Sequence, residues 1–96
     1  MSKSALFKFR LYVAAGTQNS TQAVANLGVL CREHLLNRHE IEVVDVLREP
    51  KRALADGILM TPTLIKLAPS PISQIVGTLS HREIVLHTLG LDILAA

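Results

Sequence analysis

Ile58-Leu59-Met60-Thr61-Pro62-Thr63-Leu64-Ile65-Lys66-Leu67 decides how this chain is read. Two apolar runs meet at a Thr-Pro-Thr step, and the second run ends at Ala68-Pro69-Ser70-Pro71. Proline has no N–H to give to a ladder, so Pro62 marks a strand entrance, an edge or a turn. Cis X-Pro bonds are tolerated at such places at modest cost.

Upstream, Pro50 suits the first turn of a helix over Lys51 to Asp56 that Gly57 can stop. Downstream, Ile72 to Gly77 reads as a brief strand pairing antiparallel with its predecessor. Ser80-His81-Arg82-Glu83 has the form of a capping box and opens a last helix that Gly90 interrupts or ends. Toward the N-terminus, Ala5 to Ala14 alternates imperfectly between Phe7, Phe9, Leu11, Val13 and Leu6, Lys8, Arg10, Tyr12, a strand with one buried face and one carrying charge. After the loop Ala15 to Asn19, Asn19 or Ser20 can cap a helix, with Gln22 as a weak capping box. Ala23, Val24, Leu27, Leu30, Cys31, His34 and Leu35 then keep helical spacing. Ile41 to Leu47 is β-branched enough for a second strand. Strand, long helix, strand predicts a parallel βαβ unit.

Composition narrows the function classes. A chain of 96 residues is expected to form one domain. Apolar residues make up 49% of it and aromatics 3%, so the core is aliphatic and base stacking has little to work with. A net charge of +2 spread along the chain gives no nucleic-acid footprint. No run reaches transmembrane length, no signal peptide is evident at the N-terminus, and the last residues carry no charged tail. The lone Cys31 fits a reducing compartment. The expectation is a cytoplasmic protein with no nucleic-acid or membrane partner.

No catalytic constellation emerges. The four histidines, His34, His39, His81 and His87, lack metal-ligand spacing, and no metal or cofactor is expected. Glu42 and Asp45 have an odd separation that sends them to opposite faces of a strand. Thr17, Asn19, Ser20 and Thr21 could face an anion but read better as capping and turn residues. Ser80 is better explained as an N-cap than as a nucleophile.

The order βαβαββα, with Thr61-Pro62 before the third strand, resembles the α/β thioredoxin-like fold, and the resemblance implies Pro62 as the structural cis-proline candidate. In that frame redox thiols sit in the loop after the first strand, where a helix N-terminus lowers their pKa. Here the loop is Ala15-Gly16-Thr17-Gln18-Asn19-Ser20, without a cysteine, and Cys31 falls mid-helix on the apolar face. A thioredoxin-like redox enzyme is therefore disfavoured.

A narrower resemblance runs along nearly the whole chain. Leu11-Tyr12-Val13-Ala14, Asn19-Ser20, Val44-Asp45-Val46-Leu47 with Pro50, Ile58 to Leu64, Ile75-Val76-Gly77, Leu79-Ser80, Arg82-Glu83 and Val85-Leu86 resemble the KaiB family of circadian-clock proteins. The resemblance implies a non-enzymatic regulator that binds the hexameric ATPase and autokinase KaiC. It also implies self-association as a dimer or tetramer, and a C-terminal half able to adopt a second packing. On that basis the partner surface is expected around Lys66, Pro69, Pro71, Ser73, Gln74 and Arg82. The chain departs from the family where a basic pair before Ile75 is replaced by Ser73 and Gln74, and where an acidic residue after Gly77 is replaced by Thr78. A stress-response protein that no longer binds KaiC is the alternative those departures leave open.

Overall fold

β1, Phe7–Val13, sits inside the sheet, paired along both of its edges and buried at every odd-numbered position. The protein is described here by a computed structural model over residues 5–91. β1 is followed by α1 (Gln18–His34), β2 (His39–Asp45), α2 (Pro50–Ala55), β3 (Thr63–Ala68), β4 (Ser73–Val76) and α3 (Arg82–Thr88). The four strands form one sheet in the order β2-β1-β3-β4. β1 and β2 run parallel, Phe7 opposite His39 through Val13 opposite Asp45, while β3 is antiparallel to both β1 and β4. The α/β order expected from the sequence is therefore the order found, and its sheet is of the thioredoxin type.

Alternation along β1 sends Phe7, Phe9, Leu11 and Val13 to one face. There they meet Ala23, Leu27, Leu30 and Cys31 of α1, Val85 of α3 and Leu89 just beyond it. Burying each such Leu or Phe contributes about 1.5–3 kcal/mol. The opposite face holds a smaller cluster: Tyr12, Val44, Ala53 and Ile65, with Val46, Ile58 and Leu67 partly buried against it. Thus α1 and α3 cover one side of the sheet and α2 the other.

Four local expectations need correction. α1 starts two or three residues before the place Asn19 or Ser20 would give it, with Thr17 as N-cap. The hydroxyl of Thr17 donates back to the Ala14 carbonyl at 2.8 Å, and the buried Ser20 hydroxyl accepts the Ala14 N–H at 3.0 Å, so neither caps the helix. Val24, at helical spacing, is exposed, because the stripe facing the sheet runs through Ala23, Leu27 and Leu30. Ser80 does not close a capping box: His81 is the N-cap of α3, and the Ser80 hydroxyl lies 2.6 Å from that of Thr78. The face of β1 read as charged is charged only at its start, since Tyr12 is fully buried there. Gly57, at φ +68, ends α2 as expected of a left-handed position. The last residues, 92–96, lie outside the described residues.

Candidate functional site

The strand entrance and the start of α1 meet at the end of the sheet where thioredoxin-like domains do their chemistry. The Thr61-Pro62 bond is cis, and the buried Pro62 offers its carbonyl to the N–H of Gly77 at 2.9 Å, fixing the loop after β4 against it. Ala68-Pro69 and Ser70-Pro71 are cis as well. Beside Thr61 a shallow opening of about 300 Å³ is lined by Thr17, Gln18 and Asn19. These side chains offer hydroxyls and amides, and no thiol or carboxylate. Cys31 lies elsewhere, fully buried between α1 and the sheet, and burial pushes its thiol up to about 11. A thiol so placed is protonated at neutral pH and closed to a disulfide partner.

Of the expected partner-binding residues, one is withdrawn from the surface. Lys66 is 4% exposed, which removes it from any docking face of this fold. The reason is strand parity. Lys66, two residues from the buried Leu64, shares its face of β3 and so projects toward α1 and α3. Its stem crosses the Phe7 ring, with Nζ 5.8 Å from the centroid, and its ammonium reaches the Leu89 carbonyl at 3.5 Å, where a helix end favours a cation. Pro69 and Pro71 stand in the β3–β4 connection, Pro71 exposed and Pro69 half-buried. Ser73 is half-buried on β4, and its hydroxyl has no hydrogen-bond partner among the described residues. Gln74, next along β4, is exposed. Arg82 is exposed at the start of α3 and pairs with Glu33 of α1.

Around Pro62 an exposed apolar rim appears that sequence patterning could not separate from core: Leu59 is 95% exposed and Met60 64%. With Gly57, Thr63, Gln74 and Val76 they line a second open depression. A third, between β4 and α3, is lined by Ile75, Val76, Leu79, Ile84 and Val85 among others. β4 is the free edge of the sheet beside both.

The polar feature that the sequence reading missed lies on the α2 side. Arg10 Nε donates to Glu42 Oε1 at 3.0 Å and its Nη1 to Asp56 Oδ2 at 3.1 Å. Arg52 holds Glu42 through two parallel bonds, 2.8 and 2.9 Å, and reaches Glu49 at 3.4 Å. The Tyr12 hydroxyl donates to Asp56 Oδ2 at 2.5 Å, with the Arg52 carbonyl 3.1 Å away. Arg52 first and Arg10 second hold the Glu42 carboxyl down at about 2. The Tyr12 hydroxyl, then Arg10, keep Asp56 below its ordinary value against the effect of burial. Burial, reinforced by Asp56, pushes the Tyr12 phenol up. Arg10 and Glu42 are direct register partners on β1 and β2, so half of this cluster was readable once the strands were paired. Asp56 was not, because only the placement of α2 brings it over β1. Asp45 points away from all of this, accepting the N–H groups of Leu47 at 3.0 Å and Ala15 at 3.4 Å.

Among the described residues no group of His, Cys, Asp or Glu is placed to hold a metal, and no helix is long and apolar enough to cross a membrane. The KaiB domain family profile matches residues 10–91. Among curated relatives, the chain is 45% identical over 84 residues to circadian clock protein KaiB3 of a Synechocystis strain, covering 88% of this chain and 80% of that protein. It is 43% identical over 94 residues to the circadian clock oscillator protein KaiB of a Synechococcus strain, covering 98% and 84%. Among solved structures, the N-terminal domain of Synechococcus elongatus SasA superposes with a TM-score of 0.75 over 93% of this chain and 85% of that one, at 14% identity. A chloroplastic thioredoxin z superposes equally well, TM-score 0.75 over 96% and 83%, at 15% identity. At such identities the likeness concerns the fold alone.

Proposed function

The chain belongs to the KaiB family, and from that premise we propose that it is a non-enzymatic regulator of a circadian-clock type, acting in the cytoplasm by binding another protein. Its partner in this reading is a KaiC-like ATPase and autokinase, whose phosphorylation state it modulates. The observation that carries the proposal is a family match over residues 10–91 on a thioredoxin-type site that presents Thr17, Gln18 and Asn19 where a redox protein needs thiols.

The docking face we propose comprises Pro69, Pro71, Ser73 and Gln74 of the β3–β4 hairpin together with Arg82. Lys66 is left out, since its ammonium is turned inward. Exposed Leu59 and Met60 widen the apolar part of the neighbouring surface. Self-association as a dimer or tetramer, and a second packing of the C-terminal half, belong to the same reading.

Co-elution on size exclusion, and pull-down with a KaiC-type ATPase in its phosphomimetic form, test the proposal. A complex should form at or below roughly tens of micromolar, the weak limit for a specific contact. Gln74→Glu and Arg82→Ala should each weaken it at unchanged thermal stability. Absence of any complex at that concentration sinks KaiC binding. Survival under stress, lost in a deletion strain that shows no such complex, would then favour the stress-response role.

A further inference from the structure

The two sides of the sheet are fastened by different forces. α1 buries Ser20, Ala23, Leu27, Leu30 and Cys31. In α2 the buried residue is Ala53, a side chain of one methyl, and in the connector after it Ile58 is partly buried against the same cluster. Leu54, on the same short helix, is 78% exposed, and Leu59 beyond it 95%. A six-residue helix with so little apolar contact does not hold itself in water. What ties it down is the polar cluster: Arg52 from within α2 and Asp56 from its end on one side, Arg10, Tyr12 and Glu42 of the strands on the other.

We propose that α2 and its connector through Ile58 form a flap latched to the sheet by Arg10, Tyr12, Glu42, Arg52 and Asp56, which opens as a unit while the α1–α3 side of the fold stays closed. Opening breaks the Tyr12–Asp56, Arg10–Asp56 and Arg52–Glu42 contacts together, because each links the flap to β1 or β2. It uncovers Tyr12, Val44 and Ile65, the apolar floor under Ala53. The inference stands apart from the proposed partner. It concerns which part of the molecule yields first, since segments held by few apolar contacts open at lower free energy than the global transition.

The charged groups facing the latch are Arg10 from β1, Glu42 from β2, and Glu49, Arg52 and Asp56 from α2 and its ends. These pairs are between a quarter and a half exposed, so added salt reaches them. At about 1 M salt the screening length falls to roughly 3 Å, and the latch weakens. On the Cys31 and Leu27 side the α1–α3 ion pair Arg82–Glu33 lies over a continuous apolar layer, so salt should loosen that side less.

Native-state hydrogen exchange on the full chain decides the matter. The amides to follow are those of Ala53, Asp56, Gly57 and Ile58, which bond to Glu49, Arg52, Leu54 and Ala53 carbonyls, against the amides of Leu27 to Cys31 in α1. We expect the flap amides to exchange faster than the α1 amides in the unmodified protein, and the ratio to widen by about fivefold between low salt and 1 M NaCl. Asp56→Asn should widen it by about tenfold, since it removes the charge from two hydrogen bonds at once. Flap and α1 amides exchanging at one common rate in the unmodified protein would overturn the proposal. So would a ratio indifferent to salt. The salt series needs no variant, so a poorly folding Asp56→Asn leaves the test intact.

Discussion

One sheet carries two unlike faces. Beneath α1 and α3, Phe7, Phe9, Leu11 and Val13 are sealed by Leu27, Leu30, Cys31, Val85 and Leu89 into a continuous apolar layer. Beneath α2, Tyr12, Val44 and Ile65 meet Ala53 and the partly buried Val46, Ile58 and Leu67, a thinner apolar layer whose margin is closed by charged groups. Apolar burial is indifferent to salt screening and only weakly to pH. Ion pairs and charge-assisted bonds depend on both. The same strand β1 thus serves a permanent interface with its odd-numbered residues and a conditional one with Arg10 and Tyr12.

The comparison is broken most directly by truncating each face in turn. Leu27→Ala, at a side chain 1% exposed, should destabilise the protein by about 2–5 kcal/mol in urea denaturation. Tyr12→Phe keeps the ring and removes only the hydroxyl bonded to Asp56, so it should cost about 1–2 kcal/mol. If Tyr12→Phe cost as much as Leu27→Ala, the α2 side would be no weaker than the other. Tyr12 is also the one tyrosine of a chain without tryptophan, so its fluorescence reports on the latch directly.

Acid sharpens the contrast further. Glu42 is depressed to about 2 by Arg52 and then Arg10, and Asp56 is lowered chiefly by the Tyr12 hydroxyl. A depressed carboxyl contributes stability above its unfolded pKa, about 4 for these groups, and that contribution is lost as pH falls toward the folded value. Tyrosine fluorescence and flap exchange should therefore change between about pH 4 and pH 2, ahead of the exchange of α1 amides. Glu42→Gln should flatten part of that dependence. An unchanged profile in Glu42→Gln would show that Glu42 does not hold the flap.

How much of this was written in the sequence follows the same division. The βαβαββα order was legible because apolar periodicity, Thr61-Pro62 and Gly57 are local signals, and local signals specify elements. Lys66 was misjudged because a cation between Ile65 and Leu67 looks like a surface residue until the face of Leu64 is known. Leu59 and Met60 look like core in a run of apolar letters and are exposed, since the turn into cis Pro62 carries them outward. The latch escaped for a different reason. Asp56 is 44 residues from Tyr12 and 46 from Arg10, and no local pattern encodes a meeting at that distance.

The smallest effect tests how α3 is fixed to the apolar side. Ser80-His81-Arg82-Glu83 has the letters of a capping box, whose loss would cost about 1 kcal/mol. In the structure α3 has no side-chain cap, and the Ser80 hydroxyl is spent on Thr78 in an exposed loop already held by the bond from Asn26 Nδ2 to the Thr78 carbonyl, 2.8 Å. What fastens α3 is Val85, 2% exposed, and Leu89, 1% exposed. Ser80→Ala should therefore change stability by less than about 0.5 kcal/mol, the range of ordinary surface substitutions, while Val85→Ala costs several times more. A loss of about 1 kcal/mol or above in Ser80→Ala would mean that a polar cap does for α3 what the charged latch does for α2, and the contrast between the two faces would fail at its strongest side.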